Sequence, residues 1–237
     1  MKKIFTAIAL LLVLGQWSCI SSQNISKQNQ KMNSKELTYL ALGDSYTIGE
    51  GVEDKDRYPH QAVEMLRQKN IFFSEPKIIA TTGWTTDELA KGIEIAEIDG
   101  KTYDLVTLLI GVNNQYRGRP VENYQEEFRA LLEGAITYAE GDKNHVVVLS
   151  IPDWGVTPFA INRGSDQEKV TREIDEYNLA KKTICEEMGV AYIDITDHYR
   201  IHGMKQESVV SDKLHPSGLI YKFWAAQLVG FVEKMGF

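Results

Sequence analysis

Short apolar runs that alternate with segments of helical periodicity constrain this chain more than any other feature. Leu37–Leu42, Lys77–Thr82, Asp104–Ile110, His145–Ile151 and Val190–Ile195 each read as a strand. Between them, Tyr58–Asn70 carries Ala62, Val63 and Leu66 at helical spacing. Val121–Glu140 likewise sets Phe128, Leu131, Leu132, Ala135 and Ile136 on one side. Thr85-Thr86-Asp87-Glu88 predicts a capping box opening a helix to about Glu97, and Ser165…Glu168 a second before a helix reaching Met188. Pro152–Gly164 reads as a loop, and Pro216 suits the first turn of a last helix through Met235. The run Asp104–Ile110 is continuously apolar, as a strand buried on both faces must be. Such alternation implies an α/β fold, with a mostly parallel sheet covered on both faces.

At 237 residues, 43% hydrophobic and 25% charged, the chain suffices for one domain with a large core. Its net charge of −7, without basic clusters, argues against nucleic acid as a partner. Two cysteines, Cys19 and Cys185, cannot make a disulfide framework, and no C-x-x-C metal pair occurs. The N-terminus has its own character. Lys2-Lys3, the apolar run Ile4 to Leu14 and a small residue before Cys19 resemble a bacterial lipoprotein signal over residues 1–19. Gln16 and Trp17 depart from the usual pattern there. The resemblance implies that Cys19 becomes the lipidated first residue, with residues 20–36, rich in Ser, Gln, Asn and Lys, as a flexible linker. Residues 37–237 then form the working domain at a membrane surface of the cell envelope, or a secreted one if Cys19 is not lipidated.

Ligands meet a parallel sheet at the carboxyl ends of its strands. Ser45, two residues past the end of the first strand in Gly43-Asp44-Ser45, is a nucleophile candidate, but a serine needs a base. His215 is the base candidate and Asp212 its orienter, since a spacing of three can bring both to one side of a turn. Taken alone, an Asp and a His so spaced are commonly just surface residues. Asn113, just past the third strand, offers a neutral amide donor for an oxyanion, and Gly83 a backbone N–H. A turn asparagine and a strand-ending glycine are their plainer readings. Asp44 and Asn114 are candidates to line the substrate site, Asp44 having an Asx-turn as its simpler role. Trp154 and Phe159 join them as possible walls of an acyl or sugar pocket. His198 and His202, with Asp194 or Asp197, only mimic a metal set, because no H-E-x-x-H pattern accompanies them. Cys185 reads as a small buried residue.

Gly43-Asp44-Ser45, Gly83, Gly111-Val112-Asn113-Asn114 and Asp212-Lys213-Leu214-His215 resemble, in order, the four blocks of the SGNH/GDSL hydrolase family. The resemblance implies a flavodoxin-like three-layer α/β/α sandwich with about five parallel strands. It implies Ser45 as nucleophile, His215 as base and Asp212 as its partner. The Ser45 and Gly83 amides and the Asn113 side chain would form an oxyanion hole. Asn114 departs from the aspartate the family more often carries. The family chemistry uses no metal or organic cofactor, and its substrates are small-molecule, glycan or lipid esters. A carbohydrate O-deacetylase of the envelope is the leading expectation, with lysophospholipase or thioesterase as alternatives. The absence of G-x-S-x-G around Ser45 argues against the nucleophile elbow of α/β-hydrolases. Two readings of another class remain. A flavodoxin-like binder would use Ser45, Thr47, Gly49 and Gly51 to cradle a phosphate. A non-catalytic surface lipoprotein would keep the fold and bind glycan or lipid.

Overall fold

Leu105–Leu109 (β3) is buried along its whole length, and so is Tyr39–Gly43 (β1), its neighbour in the sheet. With Lys77–Ala80 (β2), Val146–Leu149 (β4) and Ala191–Ile193 (β5), they form a five-stranded, all-parallel sheet of order β2-β1-β3-β4-β5. The structure, a computed structural model, describes residues 36–237. Cys19, the expected leader and all but the last residue of the linker lie outside the described residues. Leu37–Phe237 forms one unit.

Helices flank the sheet, as the alternating pattern predicts. Tyr58–Gln68 packs against the C-terminal helix Gly218–Met235. Thr86–Ile95, Val121–Tyr138 and Gln167–Met188 pack side by side in turn. Among the described residues the helices are, in chain order, α1 (Ser45–Ile48), α2 (Tyr58–Gln68), α3 (Thr86–Ile95), α4 (Val112–Tyr116), α5 (Val121–Tyr138), α6 (Pro158–Arg163), α7 (Gln167–Met188), α8 (Thr196–His202) and α9 (Gly218–Met235). The strand order 2-1-3-4-5 places the topological switch point between β1 and β3, where open α/β sheets bind their ligands.

Where expectation and structure differ, local chemistry explains it. Pro152–Gly164 is not a plain loop: it holds a 3₁₀ turn, Trp154–Val156, and then α6. Thr157 caps α6, Pro158 opens it and Gly164 ends it in the left-handed region. Ser165 closes α6, donating its N–H to the Ala160 carbonyl, so Asp166 rather than Ser165 caps α7. Its carboxylate accepts from the Lys169 N–H at 3.0 Å, and a charged acceptor gains from the helix dipole. Pro216 precedes α9 instead of lying in its first turn, with Ser217 at the N-cap position and Pro216 bridged to Val209. The capping box at Thr85 and Glu88 forms as expected.

Candidate active site

Gly43 ends β1 where a Cβ would collide with Thr47 Oγ1 and the Leu109 carbonyl, so the chain there admits glycine alone. Asp44 then caps α1, its Oδ1 accepting from the Tyr46 N–H at 3.0 Å. That cap sets Ser45 at the first helical position. Backbone N–H groups in a first turn lack intrahelical acceptors. The Ser45 N–H donates to no acceptor among the described residues, and neither does that of Gly83.

Gly111, at φ 127°, turns the chain out of β3 into α4. A Cβ there would press on Tyr124 and Ile151. Asn113, on α4, donates one amide hydrogen to the Trp84 carbonyl at 2.9 Å. Its second amide hydrogen is thereby aimed rather than free to rotate. Gly83, at φ 87°, occupies a turn that a side chain would strain. The Gly83 carbonyl accepts from Arg117 Nη2 at 2.6 Å, while Arg117 Nη1 pairs with Glu88 at 3.1 Å. Arg117 was not legible as a site residue, because its partners lie 29 and 34 positions away.

At the other end of the chain, Asp212 Oδ1 accepts from the Leu214 and His215 N–H groups at 2.8 and 3.0 Å. Its Oδ2 meets His215 Nδ1 at 2.6 Å. Lys213, at φ 64°, bends the turn through a conformation non-glycine residues seldom adopt. The turn is clamped from three sides: the Tyr199 hydroxyl donates to Leu214 O, the Phe159 N–H to Lys213 O and the Val210 N–H to His215 O. Tyr46 supports the His215 ring edge-on at 5.8 Å. Burial works to raise the Asp212 carboxyl. The His215 ring and the two N–H groups outweigh it and hold the carboxyl below its usual range. An ionised Asp212 assigns the ring proton to Nδ1 and leaves Nε2 with its lone pair, as a general base requires.

These segments meet at one cavity of about 200 Å³, lined by Ser45, Gly83, Asn113 and His215. Trp154 and Phe159 wall it, together with Tyr116, Val112 and Leu214. Trp154 is fixed by its indole N–H, which donates to Gln115 Oε1 at 2.8 Å. Tyr116 escaped the sequence reading, although it falls three residues after Asn113 on what proves to be one helix.

Two expected lining residues do not serve as such. Asn114 is fully buried and spends both ends of its amide on Thr86, tying α4 to the start of α3. Asp44 is buried, and its Oδ2 has no hydrogen-bond partner among the described residues. Burial pushes the Asp44 carboxyl up to about 7, against the pull of the Tyr46 N–H and the Lys181 ammonium. The folded protein therefore keeps a proton that the unfolded chain, at 3.8, has already released. Stability contributed by Asp44 falls as pH rises from 3.8 to about 7, then levels off. Burial pushes Lys181 down to about 7, and its opposite contribution lies above that window. Asp44→Asn retains an acceptor for Tyr46 and removes the slope. Urea midpoints are expected to drop between about pH 4 and 7 in the wild type and to stay flatter in the variant. Equal slopes in both would contradict this account of Asp44.

Among the described residues no group of three or more His, Cys, Asp or Glu side chains is placed to hold a metal ion. His198 instead stacks on Phe223 and His202 lies beside His198, away from this cavity.

The model of the GDSL-like Lipase/Acylhydrolase family matches residues 41–223, a span reaching from β1 through Asp212 and His215 into α9. The chain belongs to the GDSL-like lipase/acylhydrolase family. As a GDSL-family member it is an ester-splitting hydrolase. A Bacillus subtilis (strain 168) protein described as uncharacterized, YpmR, is 21% identical over 252 residues, covering 99% of this chain and 97% of its own. A lipase/acylhydrolase from Enterococcus faecalis superposes with a TM-score of 0.64 at 16% identity, over 84% of this chain and 96% of that one. The acetylxylan esterase Axe2 from Geobacillus stearothermophilus gives 0.63 at 18% identity, over 85% and 94%. At these identities the solved GDSL-type structures speak for the fold, the α/β/α sandwich expected from the sequence.

Proposed function

We propose that the chain is a serine esterase which forms an acyl-enzyme on Ser45 and removes short acyl groups from carbohydrates of the cell envelope. One observation carries the reading: Ser45, the Gly83 and Asn113 donors and His215, itself held by Asp212, all border a single cavity. Asp212 holds His215 with Nε2 free to take the Ser45 proton as Oγ attacks the ester carbonyl. The carbonyl oxygen gains charge among the Ser45 and Gly83 N–H groups and the Asn113 amide. The intermediate collapses with loss of the alcohol, which leaves with the proton from His215. Water then repeats the sequence: His215 takes its proton, the hydroxyl attacks the acyl carbon, and Ser45 recovers its hydrogen as the acid departs.

The size of the cavity supports a short acyl group, since about 200 Å³ bounded by Tyr116, Trp154 and Phe159 suits an acetyl or slightly longer chain. The envelope address rests on the leader-like segment 1–19 and its Cys19. Among the described residues no helix is long and apolar enough to cross a membrane. An apolar wall also admits a lipid reading, and acyl-chain dependence separates the two. With p-nitrophenyl esters from acetyl to palmitoyl, kcat/KM is expected to be highest at the short end. A steady rise with chain length would overturn the deacetylase reading in favour of lysophospholipid or thioester substrates.

A further inference from the structure

Helices α8 and α9 form a second concavity that ester chemistry does not use. His198 and His202 lie four apart and share one face of α8, with Lys205 just beyond the end of that helix. On α9, Leu219, Lys222, Phe223 and Ala226 likewise share one face. The two faces border a groove of about 500 Å³. The His198 ring stacks on Phe223 with centroids 3.5 Å apart and planes 6° from parallel. His202 lies 4.4 Å from His198, and Lys205 Nζ stands 3.2 Å from His202 Nδ1.

Four basic side chains therefore converge in a chain whose net charge is −7. Glu207 is the acid among the lining residues. Among the described residues none of the four basic groups has a carboxylate within 4.0 Å. Solvated cations on a free surface spread apart. Here Lys205 is instead turned onto an imidazole, and His198 Nδ1 is buried without a hydrogen-bond partner. Burial, then His202, then Lys205 make protonation of His198 harder, so the positive field of the groove comes from the Lys205 and Lys222 ammonium groups, with the imidazoles as hydrogen-bonding groups beside them. An anion with several acceptor oxygens would relieve that field and accept from two ammonium groups and an imidazole at once.

We propose that the groove between α8 and α9 binds a phosphate-type anion, held by His198, His202, Lys205 and Lys222. Two sources carry that chemistry: free phosphate, and the headgroup of an anionic phospholipid. Ile201, Met204 and Leu219, 71%, 60% and 60% exposed in this region, would meet acyl chains if the source is a membrane.

The test follows the His198 and His202 ring protons by NMR pH titration of the full-length protein, with and without inorganic phosphate. Phosphate is expected to raise both midpoints in a saturable way. Lys205→Gln/Lys222→Gln is expected to weaken binding at least about tenfold, roughly the loss of one charge-assisted hydrogen bond. Hydrolysis of p-nitrophenyl acetate stays unchanged in that variant and reports its folding, and the single exposed Lys222→Gln change serves if the double one fails to fold. Vesicles of phosphatidylcholine with phosphatidylglycerol, against phosphatidylcholine alone, form the second arm. Lysine-dependent binding to the anionic vesicles without a response to inorganic phosphate assigns the groove to a headgroup. Histidines that respond to neither, or a response that survives loss of both lysines, would overturn the proposal.

Discussion

Ser45→Ala and His215→Ala are each expected to lower kcat about 10⁵- to 10⁶-fold, and the double variant to lower it no further. The prediction follows from their acting as one unit. Without Ser45 Oγ there is no group for His215 to activate, and without His215 the hydroxyl keeps its proton. Alanine at 45 leaves the Asp44 cap on α1 intact, so the loss is chemical rather than structural. Residual turnover should come from the oxyanion donors alone. Steady-state kinetics on p-nitrophenyl acetate, with thermal melts as a check on folding, measure this. Losses that multiply in the double variant would mean the two residues act separately.

Asn113→Ala is expected to cut kcat about 10²- to 10³-fold while KM changes little, because in the proposed mechanism the amide stabilises charge that develops only after attack. The same substitution removes the hydrogen bond to the Trp84 carbonyl. One such bond contributes only about 1 kcal/mol net, or roughly 2–4 °C in Tm. The kinetic and thermal effects are therefore separable. A loss that appears as raised KM with kcat preserved would place Asn113 in ground-state binding instead.

The sheet was legible because a parallel strand buried on both faces must be apolar throughout, as Leu105–Leu109 is. Ser45, Asn113 and His215 were legible because each follows a glycine-rich or Asp-led turn with its own local signature. Short helices were harder. The segment Val112–Tyr116 spans five residues and has no periodicity to read, which hid Tyr116. Thr196–His202, at seven residues, is nearly as short. The cap at Asp166 was misplaced by one residue because Ser165 offers the same motif, and only the closing turn of α6 decides between them. What local signals cannot carry is the support from afar: Arg117 on the Gly83 carbonyl, Tyr199 on Leu214, and Tyr46 under His215. Those contacts arise when the sheet folds, from residues with no mutual spacing.

The central claim is that Ser45 carries the acyl group, and covalent trapping tests it most directly. The protein is incubated with a p-nitrophenyl alkylphosphonate, which transfers its phosphonyl group to an activated serine and releases p-nitrophenol. Peptide mass spectrometry then locates the adduct. The account predicts one phosphonyl group on Ser45, formed in step with the loss of esterase activity and absent from His215→Ala. Activity lost with the adduct on another residue, or Ser45 unmodified in protein that still hydrolyses esters, would contradict it.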